Sequence, residues 1–206
     1  MELERSRCPR THGRSEPGEL PRRAVFLDRD GVLIEDTGYP DDPDTIIVLP
    51  GVAEALRHLR AGGWALVVVS NQSGVARGKF DEERLRRIHL RLEEILARDG
   101  ARLDAIYYCP HHPQAEVGDY RADCDHRKPS PGMLRSAAAA LGLDLPASWM
   151  VGDKPSDVEA GRAAGCRTVL IGEEEPGADF VAADLLAAAR RILAEDEAGP
   201  DSESRG

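Results

Sequence analysis

The sequence has few aromatic residues, no long apolar run and few cysteines, and each shortage excludes a class of protein. Aromatic side chains make up 4% of the 206 residues, so the core must be built from aliphatic side chains. No apolar run approaches the roughly 20 residues of a membrane-spanning helix, and the polar N-terminus lacks the apolar segment of a secretory signal. Four cysteines do not indicate a disulfide scaffold. We therefore expect a cytoplasmic protein with no membrane partner.

Positive charge is also scarce, and lysine is the scarcer of its two sources. The formal net charge is −10, which argues against nucleic acid as a partner. Of the 27 basic residues, only Lys79, Lys128 and Lys154 are lysines. A surface charge can be either residue, so a retained lysine can indicate a need for a compact ammonium. A site for an anionic ligand must gather its positive charge locally.

The chain reads as one domain, residues 22–194, between polar tails at 1–21 and 195–206 that we expect to be disordered. Short apolar runs alternate with amphipathic segments, which predicts an α/β fold with a doubly wound, Rossmann-like and mainly parallel sheet. The predicted strands are 24–28, 64–71, 103–110, 148–153 and 167–172. The predicted helices are 51–61, 80–100, 131–142, 157–164 and 181–194.

Polar side chains follow several of these strands. Asp28 and Asp30 end the first strand, Ser70 and Asn71 end the second, and Asp153 ends a later one. Ligands bind at the carboxyl ends of parallel strands, and acids gathered there repel one another unless a cation sits among them. Carboxylates suit Mg²⁺, and the two lysines in the same loops suit a phosphate. A solvated Asp-Gly turn explains only the first pair of acids.

Four stretches, in order, resemble the motifs of the haloacid dehalogenase superfamily of phosphohydrolases: "FLDRDGV", "VVVSNQSGVARG", "RKPSPGM" and "VGDKPSD". The resemblance covers residues 24–172. The stretches "DTGYP", "YYCPHHP" and "CDHRKPSPGM" narrow it to the group of heptose bisphosphate and histidinol phosphate phosphatases. One position departs from the superfamily pattern: Val32 stands where a threonine is usual.

The resemblance implies a role for each residue of the site. Asp28 is expected to be the nucleophile, Asp30 the general acid and then the base, and Lys128 the group that neutralises developing charge. Mg²⁺ would be held by the Asp28 carboxylate, the Asp30 backbone carbonyl and Asp153. The residues expected to bind substrate are Asp36, Thr37, Gly38, Tyr39, Ser70, Asn71, Gln72, Ser73, Arg127, Lys128 and Lys154. Asp157 either supports Lys154 or the outer shell of the metal, or it caps the helix that follows.

The loop at 109–126 contains two pairs of metal-ligand residues. Cys109 with His111, and Cys124 with His126, are typical of a tetrahedral structural zinc site. Reduced cysteines and solvated histidines are the plainer interpretation, but two pairs in one loop favour zinc, and the resemblance implies a zinc-pinned loop here. The fourth ligand is usually a cysteine in that group, so His126 is a departure, and His112 competes with it. We interpret His12, His58 and His89 as surface residues.

The intervals between the motifs are too short for a folded cap domain, so we expect a capless, open site. The resemblance implies that a monomer removes the 7-phosphate of D-glycero-D-manno-heptose 1,7-bisphosphate in an Mg²⁺-dependent reaction, through an aspartyl-phosphate. Histidinol phosphate or another small sugar phosphate is the alternative substrate. A non-catalytic scaffold that keeps the zinc loop is the alternative from a different class.

Overall fold

The predicted sheet is present in the computed structural model, which describes residues 10–11, 22–39, 41–173 and 177–198. Seven strands lie in the order β1-β4-β3-β2-β5-β6-β7. All neighbours are parallel except the pair β1 and β4, which is antiparallel. The strands are β1 Arg10–Thr11, β2 Ala24–Leu27, β3 Ala65–Asn71, β4 Ala105–Cys109, β5 Trp149–Gly152, β6 Arg167–Ile171 and β7 Phe180–Ala182.

Six α-helices connect the strands within the described residues, and all five predicted helices are among them. The one helix that was not predicted, Ser73–Ala76, is a single turn, and two short 3-10 segments lie at Pro43–Thr45 and Gly118–Tyr120. The helices are α1 Val52–Ala61, α2 Ser73–Ala76, α3 Glu82–Arg98, α4 Gly132–Leu141, α5 Pro155–Ala164 and α6 Leu185–Ala198. None of these described helices is long and apolar enough to span a membrane.

The core lies in two layers because side chains alternate across each strand. Val25 and Leu27 point into one layer, which the apolar faces of α1, α3 and α6 cover. Ala24 and Phe26 point into the other layer, which α4 and α5 cover. Strand β2 is therefore fully buried on both faces, as expected for the centre of a parallel sheet. The predicted α/β architecture is confirmed.

Two boundaries differ from those predicted. The helix expected at 181–194 begins only at Leu185, because residues 180–182 pair with β6 as β7. The Asp184 side chain accepts the Ala187 N–H at 2.7 Å and so fixes the start of the helix. Residues 10–11 and 195–198, expected to belong to disordered tails, are strand and helix respectively. The rest of both predicted tails lies outside the described residues.

The order of the strands places the site. The chain runs from β2 outwards through β3 to β4, and then returns to the other side of β2 with β5 before it continues to β6 and β7. The order in which strands are added to the sheet reverses between β2 and β5, which are themselves parallel. Their carboxyl ends therefore border the crevice where such sheets bind ligands. Within the described residues, neither connection flanking β3 contains a cap domain: one holds a short hairpin and α1, the other α2, α3 and β4.

Candidate active site

Three acids meet at the reversal point of the sheet. Asp28 follows β2 and Asp153 follows β5, and the two strands are paired with Leu27 opposite Val151. The Asp28 N–H donates to the Val151 carbonyl at 2.9 Å. One oxygen from each of Asp28, Asp153 and Asp157 lies within 4.8 Å of the others. The gathering of carboxylates expected from the strand ends is therefore present.

Lys128 is the positive charge among these acids. Its Nζ lies 2.9 Å from Asp28 Oδ1 and 2.6 Å from Asp157 Oδ1, and it donates to the Val69 carbonyl at 2.8 Å. The residue is only 3% exposed. Burial alone would lower the pKa of Lys128, but the two carboxylates outweigh it and raise that pKa. Three acceptors match the three hydrogens of the ammonium, so this side chain is fixed in place.

Asn71 fixes the backbone of the same residue. Its Oδ1 accepts the Lys128 N–H at 3.0 Å, and its Nδ2 donates to the Lys128 carbonyl, also at 3.0 Å. The end of β3 thereby clamps a loop that is 57 residues away in the sequence. One hydrogen of Nδ2 remains for another acceptor. Asn71 can therefore position Lys128 and still contact a phosphoryl oxygen.

The surroundings of Asp153 favour a bound cation. Its buried Oδ1 has no hydrogen-bond partner among the described residues. Burial, with Asp28 and Asp157 adding to it against Lys154, raises the pKa of Asp153 to about 6. A divalent cation would favour the ionised carboxylate and would give the orphaned oxygen a partner. The cluster of carboxylates thus fits Mg²⁺, which binds oxygen ligands of this kind.

Asp157 is not the N-cap of α5 but the third residue of its first turn, and it contacts the backbone of the N-cap residue Lys154 and the side chain of Lys128. Its Oδ2 accepts the Lys154 N–H at 3.1 Å at the start of α5, and its Oδ1 contacts Lys128. The residue is 1% exposed. It therefore organises the helix start and the buried lysine together.

Asp30 lies in a hydrogen-bond network that the sequence did not predict. Arg29 donates to both of its carboxylate oxygens, with Nη2 at 2.8 Å from Oδ1 and 3.0 Å from Oδ2. Gln72 donates from Nε2 to Asp30 Oδ2 and to Ser70 Oγ, both at 2.8 Å. Gln72 and Ser70 are buried. Gln72, predicted to contact substrate, therefore uses its amide to hold Asp30.

The turn after Asp30 requires glycine. Gly31 has φ +81°, and its N–H donates to the Ile34 carbonyl at 2.8 Å. A Cβ on Gly31 would lie 2.3 Å from Asp153 Oδ2. The next residue, Val32, is 2% exposed and packs in the apolar core. Valine at the position where threonine is usual thus fills an apolar environment.

One loop, Asp36–Tyr39, lies next to the gathered acids. Lys154 Nζ contacts Asp36 Oδ2 at 2.9 Å and Asp153 Oδ2 at 3.7 Å, so the lysine joins this loop to the acids. The hydrogen bond from Lys154 lowers the pKa of Asp36. A Cβ on Gly74 would lie 3.2 Å from Tyr39 Cδ1, which places the tyrosine ring over α2. Thr37 and Gly38 are exposed.

Arginines supply positive charge on another side of the site. Arg127 Nη1 donates to the His111 carbonyl at 3.1 Å. Burial, reinforced by the charge of Arg77, lowers the pKa of Arg127. Two neighbouring guanidinium groups, one of them partly desolvated, form a place where an anion is favourable. Arg77 lies within "NQSGVARG" but was given no role by the sequence.

Three of the four predicted zinc ligands come together. Cys109, His111 and Cys124 place one ligand atom each within 4.8 Å of the others, and Cys109 Sγ lies 3.8 Å from His111 Nδ1. His126 is not in this group, and its Nε2 lies 2.8 Å from Ser136 Oγ. His112 is occupied differently, since its Nδ1 accepts the Gln114 N–H at 3.0 Å. His126 as the fourth ligand stays a prediction.

Comparison with known proteins agrees with this geometry. A family model described as HAD-hydrolase-like matches residues 126–191. The D-glycero-beta-D-manno-heptose-1,7-bisphosphate 7-phosphatase of Salmonella typhi is 45% identical over 179 residues, which cover 82% of this chain and 95% of that protein. The chain belongs to the heptose bisphosphate phosphatase family of the haloacid dehalogenase superfamily.

Two solved structures show the same fold in this family and its superfamily. The D,D-heptose 1,7-bisphosphate phosphatase of B. bronchiseptica, complexed with magnesium and phosphate, is 37% identical, with a TM-score of 0.73 over 84% of this chain and 99% of that chain. A HAD-like phosphatase from Mesorhizobium loti is 39% identical, with a TM-score of 0.77 over 89% and 92% of the two chains. Phosphatases of this superfamily use Mg²⁺.

Two further residues of this phosphatase, Arg29 and His89, lie in surroundings that the sequence did not predict. Arg29 was given no role, yet it is 0% exposed and binds Asp30. His89 was expected at the surface and is 1% exposed. That expectation was wrong, because His89 lies on the buried face of α3 between Leu85 and Leu92. Its spacing from those leucines was a usable signal.

Proposed function

We propose that this enzyme removes the 7-phosphate of D-glycero-D-manno-heptose 1,7-bisphosphate and leaves the 1-phosphate. The observation that carries the proposal is the contact of Asp28 with Lys128 at the sheet edge shared with Asp153. The substrate follows from the relatives, since the Salmonella typhi and B. bronchiseptica proteins are named for heptose bisphosphate. The local positive charges suit a phosphorylated ligand in a protein of net charge −10.

In the first half-reaction, an Asp28 oxygen attacks phosphorus and the bond from phosphorus to the sugar oxygen breaks. Asp30 donates a proton to that leaving oxygen. The product is an aspartyl-phosphate on Asp28, which divides one difficult displacement into two easier ones. In the second half-reaction, Asp30 takes a proton from water as the water attacks phosphorus, and Asp28 is released. Lys128 stays in place throughout and offsets the negative charge.

A magnesium ion fits the carboxylates described above. The Asp28 and Asp153 carboxylates and the Asp30 backbone carbonyl would hold it. When bound, it would neutralise charge on the transferring phosphoryl group. Asp157 would remain behind these ligands, paired with Lys128.

Some of the remaining polar residues would bind the reacting phosphate, and others would bind the rest of the substrate. Ser70, Asn71 and the start of α2 at Ser73 border the phosphoryl group. A primary phosphate on a flexible carbon reaches the bottom of the site more easily than one attached to the sugar ring. The ring phosphate then lies nearer the mouth, where Arg127 grips it bidentately. Tyr39 and Lys154 line the sugar.

We also propose that Cys109, His111 and Cys124 hold a structural zinc ion. Two thiolates and an imidazole prefer zinc to the hard cations, and their ligand atoms are already gathered. The loop they would fix leads directly into Arg127 and Lys128. Zinc would therefore act on catalysis only by placing those two side chains.

Initial rates against a panel test the substrate. Both anomers of the heptose bisphosphate and histidinol phosphate are compared by kcat/KM, and phosphorus NMR locates the phosphate that remains. We expect a preference for a heptose bisphosphate and retention of the 1-phosphate. A preference for histidinol phosphate would overturn the substrate and leave the mechanism intact.

Three variants and one control test the mechanism and the substrate orientation separately. Asp28→Asn should abolish turnover, since an amide cannot attack phosphorus, whereas Asp30→Asn should slow it severely, and both should still bind substrate. Arg127→Ala should raise KM for the bisphosphate about 10- to 100-fold, the value of a charge-assisted hydrogen bond, with a much smaller effect on a monophosphate. Arg135→Ala, an exposed arginine on α4, is the control for loss of charge alone. Turnover by Asp28→Asn at a normal rate would exclude the covalent mechanism.

A further inference from the structure

Behind Asp30 lies a buried relay of side chains that the mechanism has not used. Arg29 is 0% exposed and His89 is 1% exposed, and Arg29 Nη1 lies 3.2 Å from His89 Nε2. On its other side the same guanidinium holds both oxygens of Asp30 and donates to Gln72 Oε1 at 3.0 Å. A side chain from the middle of α3 is thus connected to the acid that follows β2.

The chemistry of the two groups fixes the protonation of His89. A guanidinium has only donors, so His89 Nε2 must accept and the imidazole must be neutral, with its proton on Nδ1. Burial, together with the charge of Arg29, lowers the pKa of His89 far below its usual value. A neutral histidine is the state that this contact requires.

Packing alone does not account for a histidine at position 89, because the buried imidazole leaves one polar atom without a hydrogen-bond partner in the described part of the chain. His89 Nδ1 is buried and has no hydrogen-bond partner among the described residues. Its neighbours on the buried face of α3 are Leu85, Ile88 and Leu92, and its ring lies 5.4 Å from that of Tyr108. An apolar side chain would fill the position without an orphaned N–H. The feature that only a hydrogen-bond acceptor provides is the contact with Arg29.

We propose that His89 is a positioning residue that acts through Arg29 to hold the Asp30 carboxylate in place for proton transfer. The proposal rests on the proposed role of Asp30 as acid and base. The planar guanidinium of Arg29 binds both carboxylate oxygens of Asp30. The orientation of that plane is fixed only if the nitrogen on the opposite side, Nη1, is also bound. His89 holds Nη1, and Gln72 holds the edge nearest Asp30. Without the histidine the guanidinium can rotate, and Asp30 turns with it.

Three substitutions on α3 test this. His89→Phe keeps a ring and removes the acceptor, His89→Gln keeps an acceptor, and Leu92→Ala weakens the same buried face without touching the relay. We expect His89→Phe to lower kcat by about 10- to 100-fold, as expected for a displacement of about 1 Å at a reacting group. KM and the inhibition constant for inorganic phosphate should be unchanged. His89→Gln should restore most of kcat.

The melting temperature is measured for every variant, and kcat is expressed per folded molecule. Leu92→Ala should lower the melting temperature and leave kcat unchanged. If His89→Phe keeps the kcat of the parent, or if His89→Gln loses as much as His89→Phe, the relay does not position Asp30. The Asp28→Asn variant separates the two hypotheses: turnover without Asp28 would refute the proposed mechanism, whereas a normal His89→Phe would refute only the relay.

Discussion

Gly31 offers a test of the metal site in which steric strain can be separated from loss of a ligand. The residue has φ +81°, and a Cβ there would lie 2.3 Å from Asp153 Oδ2 and 2.7 Å from its Cγ. Gly63 has nearly the same backbone angle, φ +84°, and nothing lies within 4 Å of a Cβ built on it. Alanine at either position meets the same backbone strain, but only alanine at Gly31 strikes the carboxylate.

The magnitudes follow from these distances. A side chain in the left-handed region costs about 1–2 kcal/mol, which for a chain of this length is a fall of about 2–8 °C in melting temperature. A carbon and an oxygen ordinarily stay about 3.3 Å apart, so Asp153 must move by about 1 Å in Gly31→Ala. A displacement of that size at a reacting centre can cost about 100-fold in rate. Gly63→Ala should show only the thermal effect.

The assay is phosphate release at increasing Mg²⁺ concentration, with the melting temperature of each variant measured alongside. Gly31→Ala should need more Mg²⁺ for half-maximal activity and should have a lower kcat at saturating Mg²⁺. Gly63→Ala should match the parent in both. If the two variants lose activity equally, or if Gly31→Ala retains the Mg²⁺ dependence of the parent, Asp153 does not hold the metal.

Three further predictions concern zinc, Lys154 and the buried ion pair. Elemental analysis of protein purified without added metal should find one zinc per chain and none in the Cys109→Ser/Cys124→Ser variant. His126→Ala and His112→Ala, measured with Cys166→Ser as control, identify the fourth ligand. Zinc retained in the double variant would refute the site. Lys154→Met should raise KM for the substrate, whereas Lys79→Met, which removes the same charge from an exposed position, should leave KM unchanged; equal effects would contradict a local role. Asp157→Ala should lower the free energy of unfolding by about 3 kcal/mol. This is the lower end of the cost of breaking a buried ion pair, because Asp28 still contacts Lys128. Chemical denaturation measures the change, with Asp44→Ala, at an exposed residue, as control.

The sequence predicts most of the sheet because the relevant signals are local. Apolar runs of strand length and amphipathic stretches report periodicity, which depends only on neighbouring residues. The helix predicted at 80–100 begins at Glu82, where the Asp81 side chain accepts the Arg84 N–H at 2.7 Å. The edge strand β7 was missed because three apolar residues continue into a helical pattern, and only pairing with β6 separates them.

The site was predicted unevenly for a related reason. Strand ends and motifs locate Asp28, Asp30 and Asp153, but they do not say which loop groups touch. The pairing of Lys128 with Asp157 joins residues whose spacing along the chain has no local meaning. From the sequence alone, a charged residue between two acids is expected at the surface, and only the structure shows that Arg29 is buried. Both cases depend on tertiary contacts that a single sequence does not contain.

The position of β5 beside β2 has a consequence for how the enzyme comes into being. Asp28 lies in the first sixth of the chain, whereas Asp153 and Asp157 lie beyond its middle, and the strands that carry them are adjacent. During synthesis, β2, β3 and β4 can assemble first, because chains fold from the N-terminus as they emerge. A chain halted before β5 would hold Asp28 and yet lack two of the three gathered acids. We therefore expect phosphatase activity to appear only after β5 has paired with β2.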